Sequence, residues 1–256
     1  MRDVQSEKDV RNLPLKYVGI KDLRWPLELR DKVRGDQHTV ARVQLAVDLP
    51  RDLRGTHMSR FVECLESLDF LELSSIEHVL DMLRNHLQAQ RAMMRLEFPY
   101  FLRKAAPVTG KVAPMDIDCV YIAEKGEKFT LRVRAEIPIQ TLCPCSKEIS
   151  DRGAHNQRAV AKIEILSGSF VWLEELAEYA DRAGSAPVYG LLKRPDEKFV
   201  TERAYDNPRF VEDAVRELAL LLDGDERIHA YHVEVESIES IHNHNAFAVI
   251  EKDWQL

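Results

Sequence analysis

No run of apolar residues in the chain approaches the width of a bilayer, and the first residues, Met1 to Asn12, are charged throughout. A membrane anchor and a secretory signal both need an uninterrupted apolar stretch, so neither is expected. Cysteine is scarce. Cys64, Cys119, Cys143 and Cys145 make no disulfide framework, which fits a reducing cytoplasm. Positive charge is also in deficit, with 36 Lys and Arg against 43 Asp and Glu and a formal net charge of −7. General nucleic-acid binding needs a basic footprint and is not expected. An anionic ligand would need a local cluster of Arg and Lys.

What is present is concentrated in one stretch, Thr141 to Arg158. Cys143 and Cys145 flank Pro144, and His155 follows a short polar segment that contains Gly153. Thiolate and imidazole are preferred ligands of zinc and similar divalent metals. Two cysteines cannot close a structural zinc site, whereas an open catalytic site needs only three protein ligands. Cys143 or Cys145 with His155 would leave one ligand to find. Two ordinary buried thiols beside a loop histidine explain the spacing equally well, since Cys-x-Cys is a weak motif.

The first 15 residues read as a disordered segment, followed by a module over 16–126 and a second over 127–256. In the first module a strand begins near Leu27 to Leu29. Val43, Leu45, Val47 and Leu49 then alternate with polar residues in a half-buried strand that stops at Pro50. Two helices follow, one marked by Met58, Phe61, Val62, Leu65 and Leu68. The other carries Ile76, Val79, Leu80, Leu83 and Leu87 and is opened by a Ser74–Glu77 capping box. Strands over 95–103 and 116–123 complete this half. The second half repeats the order, with strands around Val133 and Ile163, a helix capped by Ser169, and a long connection over 184–206. A helix between Pro208 and Gly224 and two last strands over 230–238 and 245–251 end it. An α+β fold follows, with antiparallel sheets and helices on one face. The open edges of such sheets predict a homo-oligomer with sites at its seams.

Four further groups are candidates. Glu197 and Glu202 in the long connection can offer a hard oxygen ligand, although exposed glutamates in a charged loop are usually only solvated. Glu212, in the first turn of its helix, reads as a dipole-favoured carboxylate partnered by Arg216. His242 and His244, with Glu239 just upstream, can act together as a metal-and-base pair. His57, Ser59 and Arg60 lie where a helix begins, a place that suits an anion through free N–H groups. His229 and His232 read as structural or exposed.

Leu142-Cys143-Pro144-Cys145-Ser146-Lys147-Glu148-Ile149-Ser150, the run Gly153 to Arg158, His57-Met58-Ser59-Arg60 and Ile241-His242-Asn243-His244 together resemble the prokaryotic type IB GTP cyclohydrolase I family. The resemblance runs from about Val18 to Trp254. It implies the tunnelling fold (T-fold), with two strand-strand-helix-helix-strand-strand modules whose sheets close into a barrel in a homo-oligomer, a tetramer. It also implies opening of GTP at C8, release of formate, and ring closure to 7,8-dihydroneopterin triphosphate in tetrahydrofolate biosynthesis. Carried over position by position, Cys143, His155, Glu197 and His242 would bind a divalent metal (zinc, manganese or iron), with Cys145 as a second thiol beside the substrate. Cys143, His242 and His244 would share in catalysis, and Glu212 would accept hydrogen bonds from guanine. His57, Ser59 and Arg60 of a neighbouring subunit would hold the triphosphate, with Lys147 and Arg158 as weaker candidates. Two other readings stay open: a nitrile reductase of the same fold using a cysteine nucleophile and NADPH, and a non-catalytic metal- or nucleotide-binding scaffold.

Overall fold

Strand β1 (Leu15–Asp31) is far longer than its apolar pattern suggests. Its pairing with β2 (Gly35–Leu49) shifts register between Leu15 and Val18 and again between Ile20 and Leu23. Each shift changes which side chains face the core, so no single alternation runs through the strand. Gly19 sits where an added Cβ would lie 1.9 Å from the Leu45 carbonyl oxygen, so only glycine fits this close pairing. The computed structural model describes residues 5, 7–33, 35–68 and 70–254. Part of the segment 1–15 therefore lies outside the described residues. Within the rest, Asp9 N donates to Asp52 O at 3.0 Å and Arg54 N to Glu7 O at 3.1 Å.

The chain packs as two units, one of Met1–Pro99 with Val120–Arg132 and the other of Tyr100–Cys119 with Val133–Leu256. In the first, β2 buries Ala41, Val43, Leu45, Val47 and Leu49. It pairs antiparallel with β1 and with β4 (Ala92–Ala105). Helices α1 (Met58–Leu65) and α2 (Leu73–Leu87) bury Phe61, Cys64 and Leu65, and Ile76, Val79, Leu80, Leu83 and Leu87. Full burial of each such aliphatic side chain is worth about 1.5–3 kcal/mol, which fixes the helices by their apolar stripes. The expected Ser74–Glu77 capping box does not form. Helix α2 starts two residues earlier, with Glu72 as its N-cap and the Ser74 hydroxyl donating to the Glu72 carboxylate at 2.7 Å. The two-residue strand β3 (Phe70–Leu71) pairs parallel to β1.

The second unit takes the later part of β6 (Phe129–Leu142), then α3 (Pro144–Ile149), β7 (Asn156–Ser167) and α4 (Leu173–Ala183). After these come β8 (Ala186–Pro187), α5 (Arg194–Asp206), α6 (Val211–Asp223), β9 (Ile228–Ser237) and β10 (Ala246–Lys252). Ala161 and Ile163 of β7 lie opposite Val235 and Val233 of β9, and α6 packs on α4 and β9. Helix α4 is opened by Trp172, whose N–H is bound by the Glu175 carboxylate at 3.0 Å, and not by Ser169.

Two corrections to the expected architecture follow. The strands do not form two separate antiparallel modules. With β5 (Val112–Lys125), they run in one ten-stranded sheet in the order β10-β9-β7-β6-β5-β4-β2-β1-β3, with β8 on β6. The β1–β3 pairing makes that sheet mixed. Element order alone does not fix which strands are neighbours, and the strands that were to end one module and begin the next are adjacent in a single sheet. The long connection is also not a loop, since most of it is α5. Only Asp196, Val200 and Ala204 of that helix are buried, a stripe too thin to stand out from a polar sequence.

Candidate active site

An open cavity of about 510 Å³ in the second unit is lined by residues from four places in the chain. The end of β6 and the start of β7 give Thr141, Cys143, His155 and Gln157. The start of α6 gives Arg209 to Glu212, and the end of β9 with the following turn gives Ser237, Glu239, His242 and His244, ahead of Phe247 on β10. That volume suits a small organic ligand.

The cysteine loop is closed by its own backbone. Cys143 N donates to His155 O at 3.1 Å, and His155 N donates to the Ser146 hydroxyl at 3.1 Å. Cys143 is also the N-cap of α3, its Sγ accepting from Ser146 N at 3.4 Å, with Pro144 pre-set for the first turn. These bonds place Cys143 and His155 side by side at the cavity wall, while Cys145 in the first turn of α3 is exposed. Just upstream, Leu142 N donates to the buried Ser185 hydroxyl at 3.0 Å and Leu142 O accepts from Arg209 N at 3.0 Å. The Asn207 amide donates to the carbonyls of Gly184 and Ser185. Through Leu142 the cysteine loop is tied to the residues that open α6.

Glu212, which lines the same cavity, sits in the first turn of α6 with an exposed side chain. Capping is done by its neighbour, since the Asp213 carboxylate accepts the Phe210 N–H at 3.0 Å. The expected pair with Arg216 does not form, and Glu212 has no hydrogen-bond or ion-pair partner among the described residues. A carboxylate at a cavity wall with both oxygens free can accept two parallel N–H donors.

The histidine turn supplies the third wall. The His242 and His244 rings stack with centroids 5.1 Å apart, and His242 meets His155 edge-on at 6.4 Å. Asn245 Nδ2 donates to Glu236 at 2.9 Å, and this bond together with Lys162 holds the Glu236 carboxyl below its ordinary range. On the same wall, Gln157 Nε2 donates to the Ser237 hydroxyl at 3.0 Å and to Thr141 Oγ1 and Glu239 Oε1 at 3.3 Å each.

Several expected site residues therefore converge: Cys143, His155, Glu212, His242 and His244 all line the cavity. Glu197 does not line it. It is exposed on α5, next to the wholly buried Asp196. Lys147 reaches α5, with Nζ 2.5 Å from Tyr205 O and 4.3 Å from the centre of the Tyr205 ring. His57, Ser59 and Arg60 belong to the first unit, where His57 is the N-cap of α1 and Arg60 donates to His86 O at 2.5 Å. Thr141, Gln157, Arg209, Phe210, Ser237 and Phe247 carried no signal of their own in the sequence. Glu239 was visible only as a neighbour of the histidines.

A thiol with two imidazoles on adjoining walls is a donor set suited to a borderline-soft divalent ion. Among the described residues no three His, Cys, Asp or Glu side chains stand close enough together to hold one. The chemistry of the set fits, and its side chains stand apart.

Solved structures with a similar arrangement of elements include uricases. The uricase from Arthrobacter globiformis superposes with a TM-score of 0.53 at 6% identity, covering 94% of each chain. A urate oxidase from Bacillus sp. TB-90 gives 0.54 at 9% identity, covering 92% of this chain and 99% of that one. At these identities the likeness defines the fold class alone. The sequence goes further. A family described as type I GTP cyclohydrolase FolE2 matches residues 1–248. GTP cyclohydrolase FolE2 of Caldicellulosiruptor saccharolyticus is 54% identical over 251 residues, covering 98% of both chains. That of Thermotoga maritima is 54% identical over 252 residues, covering 98% of this chain and 97% of its own. The chain belongs to the type I GTP cyclohydrolase FolE2 family. FolE2 is thus the designation that replaces the IB subtype suggested by the motifs, and the reductase and scaffold readings fall away.

Proposed function

We propose that this GTP cyclohydrolase binds the guanine of its substrate in the cavity between α6 and the cysteine loop, with Glu212 as the anchor of the base. The observation that carries this reading is the unpartnered Glu212 carboxylate in the wall of the cavity that Cys143, His155 and His242 also line. Guanine presents N1–H and a 2-amino group side by side, and two free carboxylate oxygens match that pair. Phe210 and Phe247 give the same cavity apolar surface against which a purine ring can lie.

Cys143, His155 and His242 would hold a divalent metal, zinc, manganese or iron, with Glu197 as a carboxylate that would have to come from outside the cavity lining. When bound, such an ion supplies Lewis acidity and lowers the pKa of nearby water, which hydration of C8 requires. The residues themselves bind and move protons. His244, stacked on His242, is placed to exchange protons with the opening ring, and Cys145 serves as a second thiol beside the substrate. His57, Ser59 and Arg60 of a neighbouring subunit would meet the triphosphate, with Lys147, whose Nζ is engaged at Tyr205, as a weaker candidate. A homo-oligomer, a tetramer in our reading, is supported by edge strand β10, which exposes Phe247 and Val249. No helix among the described residues is long and apolar enough to cross a membrane. The free thiols support a cytoplasmic location.

Metal analysis combined with a GTP assay tests the division of roles. The product is followed as a fluorescent pterin after oxidation and dephosphorylation. Cys143→Ala is expected to lose metal and turnover together, and Cys145→Ala to keep the metal and lose turnover. Chelation should abolish turnover and leave the helical circular dichroism intact. Equal metal loss in both variants, or unfolding on chelation, would overturn this arrangement.

A further inference from the structure

One cavity residue with many polar contacts lies within the motif run Gly153 to Arg158 but has no role assigned to it by the motifs or the family match. Gln157, the second residue of β7, is half-buried at the cavity wall. Its amide nitrogen faces Ser237 Oγ at 3.0 Å, and Thr141 Oγ1 and Glu239 Oε1 at 3.3 Å each. Its amide oxygen faces His155 Nδ1 at 2.9 Å and the Ser240 hydroxyl at 3.3 Å.

These contacts are not interchangeable. The two ends of a glutamine amide have nearly the same shape, so only their partners decide which way it points. Thr141 and Ser237 do not decide it, because hydroxyls donate and accept. Glu239 does. An ionised carboxylate can only accept, so the –NH₂ end must face it and the oxygen must face His155. An amide oxygen can only accept as well, so the hydrogen of the His155–Gln157 bond sits on Nδ1. In the neutral ring the lone pair is then left on Nε2, which has no partner among the described residues.

We infer that Gln157 is a positioning residue that passes the polarity of Glu239 to His155 and fixes the imidazole as the Nδ1–H tautomer, with its Nε2 lone pair free. That lone pair is what metal ligation, or proton acceptance from substrate, requires of this histidine, and partners of this kind are commonly needed to orient a histidine ligand. The tautomer assignment stands on the hydrogen bonds alone. Only its consequence for metal binding rests on the proposed function.

The test uses the full chain with ¹⁵N-labelled histidine at one fixed pH, and long-range ¹H–¹⁵N correlation reads which ring nitrogen of His155 carries the proton. In metal-free wild type the proton is expected on Nδ1. Gln157→Leu should lose that preference, and its zinc affinity, measured by competition with a chelating indicator, should fall roughly 10- to 100-fold. Glu239→Gln keeps Gln157 but removes the acceptor-only partner, so both tautomers should appear, which covers the case in which Gln157→Leu does not fold. An Nε2–H tautomer in wild type, or an unchanged Nδ1–H preference in the variants, would overturn the inference. Failure of wild type to bind zinc at all would instead count against the metal assignment and leave the tautomer result standing.

Discussion

Asp196 and Glu212 occupy the first turns of successive helices in the same unit, but only Glu212 reads as a helix-opening acid in the sequence, where Asp196 falls within an apparent connection. Their surroundings are opposite. Asp196 is wholly buried and accepts from Val108 N at 2.9 Å, Thr109 N at 2.8 Å, Thr109 Oγ1 at 2.7 Å and Lys193 N at 2.9 Å. Burial by itself would raise its carboxyl, but these bonds prevail and hold it well below the usual carboxylate range. Glu212 has no such partner and is exposed at a cavity wall. A carboxylate whose acceptor capacity is spent within the protein serves the fold, and one whose capacity is unspent beside a cavity is available to a ligand. Asp213 sharpens the contrast. It takes over the capping role at α6 and thereby frees Glu212 from it.

The largest expected effect falls on Glu212. Glu212→Gln keeps size and helix propensity, and its amide oxygen can still meet one guanine donor while its –NH₂ faces the other. One unpaired donor costs about 1–3 kcal/mol, a loss of roughly 5- to 150-fold in kcat/KM for GTP. Stability should change by no more than the dipole contribution of an exposed first-turn acid, about 0.3–1 kcal/mol. Steady-state kinetics beside a thermal melt reads both. Normal kcat/KM with a lowered melting temperature would place Glu212 with Asp196, as a residue of the fold.

Asp196→Ala should behave the other way round. It strands three backbone N–H groups of the second unit, at Val108, Thr109 and Lys193, so the melting temperature should drop by about 5–10 °C. At a temperature where the variant stays folded, turnover per folded molecule should match wild type. Loss of activity without loss of stability would break the comparison.

Asp225 extends it to acid pH. The Arg227 side chain, against some opposing burial, holds the Asp225 carboxyl at about 2, compared with an ordinary 3.8. The Tyr179 hydroxyl donates to it as well, at 3.0 Å. A depressed folded-state pKa contributes stability that is fully present above the unfolded value and is lost as pH falls through the folded one. Stability should therefore decline as pH drops from 3.8 towards about 2, and Asp225→Asn should flatten that part of the curve. Denaturant melts across this range provide the check. A parallel decline in the variant would assign the acid sensitivity to other groups.

What the sequence made legible depends on how local each cause is. Alternation in β2 and β6 reports burial directly, and Gly224 marks the C-terminal end of α6, whereas its start at Val211 lies beyond Pro208, where the sequence placed it. The ligand-type residues of the cysteine loop and histidine turn were visible because their chemistry is unusual. The bulges of β1 erased its period, and the neighbours Asp196 and Glu197 could not be told apart until α5 turned one inward and the other out. Gln157 lies far in sequence from Ser237 and Glu239. They meet through the β7–β9 register that sets Ala159 opposite Ser237, a relation no single segment encodes.

The smallest expected effect, and the closest test of a spent against an unspent group, concerns Lys147. Its charge suggested a contact with the triphosphate, but its Nζ already donates to Tyr205 O, one residue from the C-terminal end of α5, and lies over the Tyr205 ring. A cation at that end of a helix is favoured by the free carbonyls, and stacking over an exposed ring adds about 0.5–1 kcal/mol. If those contacts are its whole purpose, Lys147→Met should lower the melting temperature by about 1–4 °C and leave the KM for GTP and its salt dependence unchanged. A lysine that instead releases Tyr205 to meet a phosphate would lose a charge-assisted bond on substitution, worth about 1.5–3 kcal/mol, and KM would rise roughly tenfold or more. That rise would also flatten with added salt, because screening already weakens the same attraction in wild type. Kinetics at two ionic strengths separates the outcomes, and a salt-sensitive KM defect would move Lys147 into the substrate site alongside Glu212.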